Sequence, residues 1–144
     1  VMNLAFFSCI FMLRRKENYF EKIEDLSGLS SNHPILSFSL LIVLFSLAGI
    51  PPLAGFFAKF YIFVAVIDQS MYFLAIVGLL SSVIAAFYYL RIIKVIYFDK
   101  EKEKFDTDHH ISLKISLALS SVFILFYFIY PNMLNEIISK INII

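Results

Sequence analysis

Lys59 is the single charged side chain between Ile35 and Ile67, and it stands eight residues past Pro51. An ammonium in so apolar a run is costly, about 2.5–3.5 kcal/mol at the centre of a membrane helix on insertion scales, so it must face a polar cavity or a neighbouring helix. Desolvation disfavours the charged form of a lysine and a nearby carboxylate favours it. A lysine whose partner comes and goes is therefore suited to taking up and releasing a proton. The string Gly49-Ile50-Pro51-Pro52 adds a second element. A helix interrupted at depth ends its first half in open carbonyls, which favour a cation or water, and starts its second half with open amides, which favour an anion. Snorkelling to an interface, or a purely structural pairing, would also accommodate the same lysine.

Hydroxyl groups both donate and accept, so Ser46, Tyr61, Ser81, Ser82, Tyr88 and Tyr89 are candidates for holding a chain of waters beside Lys59. Each taken singly is equally an ordinary packing residue. His109 and His110 with Asp106 and Asp108 have only a faint metal-site look, since adjacent histidines on a helix point apart, and no metal site is expected. His33, before Pro34, reads as a helix-start residue, with Ser30, Ser31 and Asn32 as possible caps. The Gly55 and Ala58 spacing allows a close helix contact. No phosphate loop, catalytic triad or dinucleotide fingerprint is present.

The elements that must position these groups are helices bounded by charge. A continuous helix over 35–67 would reach roughly 50 Å, longer than the ~30 Å hydrocarbon layer, and must tilt, protrude or break. Gly49 is a natural end for one half-helix, and Pro52 a natural first turn for the next. The full expectation is an all-α, polytopic transmembrane bundle: a partial helix over 1–13, a helix over 35–67 broken at 49–52, and helices over 72–98 and 111–134. Residues 14–34 and 99–110 are the connecting loops. Both hold clustered lysine and arginine while Asp68-Gln69-Ser70 holds none, which puts the basic loops in the cytoplasm. The apolar stretch up to Leu13 is followed, not preceded, by Arg14-Arg15-Lys16, unlike a signal peptide. It reads as the second half of a spanning helix, and the chain as the C-terminal piece of a longer membrane protein.

Composition agrees. Of 144 residues 60% are hydrophobic and 16% charged, too little polar surface to cover a soluble core, so a water-soluble enzyme is excluded. A net charge of +1 with no basic stripe excludes nucleic-acid binding. One cysteine, Cys9, makes neither an internal disulfide nor an iron–sulfur site. The 17 phenylalanines are lipid-facing and packing bulk.

The string from Ser46 to Tyr61, SLAGIPPLAGFFAKFY, closely resembles the signature of the antiporter-like membrane subunits of respiratory complex I, the NADH-quinone oxidoreductase. Glu24-Asp25-Leu26-Ser27-Gly28-Leu29 resembles the cytoplasmic turn before the broken helix in that family, and Tyr88-Tyr89-Leu90-Arg91 the end of the helix after it. Lysine at 59, not glutamate, followed by Phe60, not an acidic residue, resembles one branch of the family over two others. The resemblance implies the C-terminal part of an inverted-repeat antiporter-like fold with one discontinuous helix. It implies Lys59 as the buried lysine of a proton path, Gly49, Pro51 and Pro52 as the helix break, and other membrane-arm subunits and the lipid bilayer as partners. It further implies the bacterial inner membrane as the location and no cofactor on this chain, with FMN, iron–sulfur clusters, NADH and quinone on other subunits. Two rival readings are a subunit of a multisubunit sodium/proton antiporter and a non-catalytic truncated segment of the membrane arm.

Overall fold

Two residues that resist helix interiors bound the central helix of the structure, a computed structural model that describes residues 1–13, 22–100 and 111–129. Pro34 occupies the first helical position, where its fixed φ is preorganised and its missing N–H is no loss. Gly49 ends the helix in the left-handed region at φ +84°, a conformation that costs any residue with a Cβ. Between them runs α3 (Pro34–Ala48), preceded by α1 (Met2–Met12) and α2 (Leu29–Asn32) and followed by α4 (Ala54–Asp68), α5 (Tyr72–Phe98) and α6 (Ile111–Ile129). A single 3-10 turn, Ile23–Leu26, precedes α2, so the described part of the expected 14–34 loop holds two short helical turns. No strand occurs among the described residues.

The core forms around α3, which packs against α1, α5 and α6. Leu36, Leu40, Val43 and Leu44 recur at three- and four-residue spacing and are buried. They share one cluster with Ala5, Cys9 and Met12 of α1, Ile93 and Ile96 of α5, and Leu117 and Ile124 of α6. In lipid, apolar burial does not itself drive helices together. Close packing and interhelical hydrogen bonds do, and the Ser8 and Ser116 hydroxyls supply one such bond, 3.1 Å long, between α1 and α6.

The helices beyond the break are differently placed. In α4 only Gly55 is buried, and in α5 only Ile93, Val95 and Ile96 near its end. Phe73, Val83, Ile84 and Phe87 of α5 are all more than half exposed. Among the described residues α5, at 27 residues, is the one helix long and apolar enough to cross a membrane by itself, while α1, α3 and the apolar part of α6 are shorter. Its residues are apolar on every side, as expected of a helix with lipid or another helix all round it. Arg14-Arg15-Lys16, His109-His110 with Asp106 and Asp108, and positions 130–134 of the last expected helix lie outside the described residues.

Candidate functional site

The break is built by backbone geometry first. The Gly49 amide donates to the carbonyls of Phe45 and Ser46, and the Ile50 amide donates to Phe45, the paired pattern that closes a helix on a left-handed residue. Of the last four carbonyls of α3 this leaves two, Leu47 and Ala48, open. Lys59 fills both: its Nζ donates to the Leu47 carbonyl and to the Ala48 carbonyl, each at 3.1 Å. The cation expected at the carbonyl end of the first half-helix is thus the chain's own lysine, held by two neutral acceptors and by the negative end of the helix dipole.

The turn between the halves departs from expectation at Pro52. Leu53 is extended at φ −79°, ψ 160° and its amide donates to the Ile50 carbonyl, closing a turn around both prolines. The second half-helix accordingly begins at Ala54, not at Pro52, and both prolines stand exposed outside either helix. The amides at its start are also partly taken. Gly55 N–H donates to Ser46 Oγ at 3.1 Å and Phe56 N–H to the Leu53 carbonyl at 3.0 Å. With residue 55 beside residue 46 and residue 59 over residues 47 and 48, α4 starts alongside the last turn of α3.

Lys59 is half-buried and opens on a cleft of about 330 Å³ between the break, α4 and α5, lined by Ala48, Gly49, Phe56, Phe63 and Ser82 among others. Ser82 is the hydroxyl that the structure brings to the lysine's cleft. Tyr89, seven residues on, lies on the same face of α5 and packs against the central core. The other candidates are elsewhere. Ser81 is exposed and donates to the Val77 carbonyl at 2.8 Å, and Tyr88 is exposed. Tyr61 is exposed, two residues and therefore about 200° around the helix from Lys59. Ser46 is fully buried, with its hydroxyl accepting from Gly55 and donating to Met2 Sδ at 2.9 Å. A larger cleft, about 500 Å³, lies at the far end of α3 between Met12, His33 and Lys114, away from the break. Among the described residues no cluster of histidine, cysteine or carboxylate side chains can hold a metal ion.

Gly49 serves twice, since a Cβ there would sit 3.0 Å from Lys59 Cδ and 3.3 Å from Nζ. Gly49→Ala is expected to cost about 1–2 kcal/mol from the left-handed backbone alone and to push the lysine from its carbonyls. The measurement is the thermal midpoint of the full-length protein, and an unchanged midpoint would contradict this account of the break. What the residue pattern missed is the pair of backbone carbonyls at Leu47 and Ala48 and the contact of Met2 with Ser46. Backbone acceptors have no residue type to read.

Among the described residues the chain is an all-helical bundle with one helix interrupted beside a half-buried lysine, and it belongs to the NADH:quinone oxidoreductase/Mrp antiporter transmembrane family, whose model matches residues 1–85. Its relatives carry a more particular name. The chain is 76% identical over its whole length to NADH-quinone oxidoreductase subunit N of Pelagibacter ubique, covering 31% of that protein. It is 51% identical over 91% of its length to subunit N of Parvibaculum lavamentivorans, covering 27% of that protein. The chain thus spans about three-tenths of the length of these relatives. In fold it is similar to a chain of respiratory complex I from Thermus thermophilus with bound aureothin, with a TM-score of 0.77 and 23% identity over 90% of this chain and 30% of that one.

Proposed function

We propose that this chain forms the Lys59-bearing part of a proton-translocating subunit N of NADH-quinone oxidoreductase. The observation that carries the reading is the placement of one ammonium on the two open carbonyls of a broken helix, facing a cleft with a hydroxyl on its far wall. Held there, Lys59 is stabilised as a cation. Let go into the cleft, it loses the carbonyls and the helix dipole, and its proton passes to water or to a partner group. Irregular backbone at membrane depth is tolerated where it lines a cavity, and Gly49 of the break lines this cleft while Pro51 and Pro52 form the exposed turn beside it. Water held at Ser82 is the first step of the path, and the similarity to subunit N proteins supports the assignment to that complex.

In this reading the chain crosses the bacterial inner membrane several times with its basic loops in the cytoplasm. Its partners are the other membrane-arm subunits and lipid, and FMN, the iron–sulfur clusters, NADH and quinone are handled by other subunits. A second reading has an observation in its favour, because the family description also names Mrp antiporters: a sodium/proton exchanger with no redox partner. One experiment separates them. Membranes are solubilised gently, native complexes separated and stained for NADH dehydrogenase activity, and the active band searched for peptides of the full-length protein by mass spectrometry. Co-migration is the expected result. Consistent migration in a smaller particle without the flavin subunit, with sodium-dependent proton exchange in vesicles, would replace this reading by the antiporter one.

A further inference from the structure

We infer that Ser46 is the positioning residue for Lys59, an inference that rests on the proposed reading of Lys59 as a proton relay. Ser46 has no exposed surface, yet it is fastened to the end of its own helix and to two other helices. Its backbone carbonyl accepts from the Gly49 amide at 3.0 Å, closing the end of α3. Its hydroxyl oxygen accepts from the Gly55 amide at 3.1 Å, capping the start of α4. The hydroxyl hydrogen goes to Met2 Sδ on α1 at 2.9 Å, a weak acceptor that orients the O–H and leaves the oxygen lone pair to Gly55. One residue therefore ties the two half-helices to each other and to a neighbouring helix.

The consequence for Lys59 follows from helix periodicity. Gly55 and Lys59 are four residues apart and share a face of α4. Fixing Gly55 against Ser46 delivers that face to the last turn of α3, and one turn further along it the ammonium arrives over the Leu47 and Ala48 carbonyls. The absence of a side chain at Gly55 is part of the same contact, since a Cβ there would fall on the Ser46 carbonyl. Ser46 does not touch the lysine. It sets the register of α4 on α3, and with it whether the lysine meets its two acceptors.

The test uses the full-length subunit in its assembled complex in native membrane vesicles, with Ser46→Ala as the variant and two readouts. The first is the rate at which Lys59 is modified by phenyl isothiocyanate, a lipid-soluble amine reagent, with the modified site read by mass spectrometry and exposed Lys94 as the internal control. Loss of the Gly55 cap loosens α4, and the Lys59 rate is expected to rise about fivefold while the Lys94 rate is unchanged, the effect of losing a typical net hydrogen bond. The second readout is protons moved per NADH oxidised, expected to fall. If Ser46→Ala does not assemble, Ser46→Cys, which keeps a small side chain and loses the strong acceptor, carries the same expectations. An unchanged Lys59 rate overturns the positioning role. A raised Lys59 rate with an unchanged proton yield upholds the positioning role and overturns the proton-relay reading on which its importance rests.

Discussion

Replacing Lys59 by methionine in the intact complex should depress proton pumping and the NADH oxidation coupled to it, because it removes the one titratable group among the described residues lining the cleft at the break. A positioned proton-transfer group is worth about 10²–10⁴-fold in the step it serves, so proton flux through this subunit should fall by at least that lower bound. Methionine keeps the length and apolar bulk of the stem, and the packing against Gly49 and Phe56 changes little. Arginine is the sharper comparison. It keeps the positive charge, so it can stay on the Leu47 and Ala48 carbonyls, but it does not release its proton in proteins. A snorkelling or structurally paired lysine is replaced by arginine at little cost, whereas a relay is not. The expected result is that Lys59→Met and Lys59→Arg are both defective in protons moved per NADH while both assemble. Normal stoichiometry in Lys59→Arg would remove Lys59 from the proton path and leave it a structural cation.

How far this site is legible in the residues depends on whether its parts are local. Gly49 announces a helix end because only a left-handed residue closes one this way, and the structure has it there at φ +84°. Lys59 stands out because no other charge lies between 35 and 67. Its acceptors do not stand out, because carbonyls are the same at every position and only the turn from Ile50 to Leu53 decides which two of them the ammonium meets. Ser46 shows the same limit from the other side. A serine eight residues before Ala54 looks like any hydroxyl able to hold water, and its use as a fastener emerges only once α4 lies beside α3. The start of α4 departs from the residue pattern for a related reason: Pro52 is a good first helical residue by itself, but Leu53 N–H reaches back to the Ile50 carbonyl and keeps both prolines in the turn. Along α5 the pattern carries no facing information at all, since every side is apolar, and nothing in the residues marks Ile93, Val95 and Ile96 as the part that packs.

Gly55→Ala is expected to be the most damaging substitution that leaves every functional group of the site in place. A methyl group at this position would fall on the backbone carbonyl of Ser46, and the Ser46 hydroxyl lies 3.1 Å from it. A side chain could rotate away, but the carbonyl belongs to the last turn of α3, which is closed by the Gly49 and Ile50 amides and cannot yield alone. The relief must come from α4 moving off α3, which breaks the Gly55 to Ser46 bond and lifts Lys59 from Leu47 and Ala48. Overpacking typically costs 1–3 kcal/mol, and with backbone as the obstacle the cost here should reach about 3 kcal/mol or more, against less than about 1 kcal/mol regained from alanine's better helix propensity. Gly78→Ala is the matched control: its methyl would meet only the Phe63 ring edge, Cε1 at 3.1 Å and Cζ at 3.7 Å, and a ring can shift by a few tenths of an ångström. Gly78, inside α5, gains up to about 1 kcal/mol of propensity and Gly55, in the first turn of α4, gains less, so a loss at Gly55 well beyond about 1 kcal/mol reports the contact at the break. The amount of assembled complex per membrane protein and its thermal inactivation midpoint should fall sharply for Gly55→Ala and stay near the starting values for Gly78→Ala. Equal behaviour of the two would mean that α4 does not lie against Ser46, and the placement of Lys59 on the Leu47 and Ala48 carbonyls would go with it.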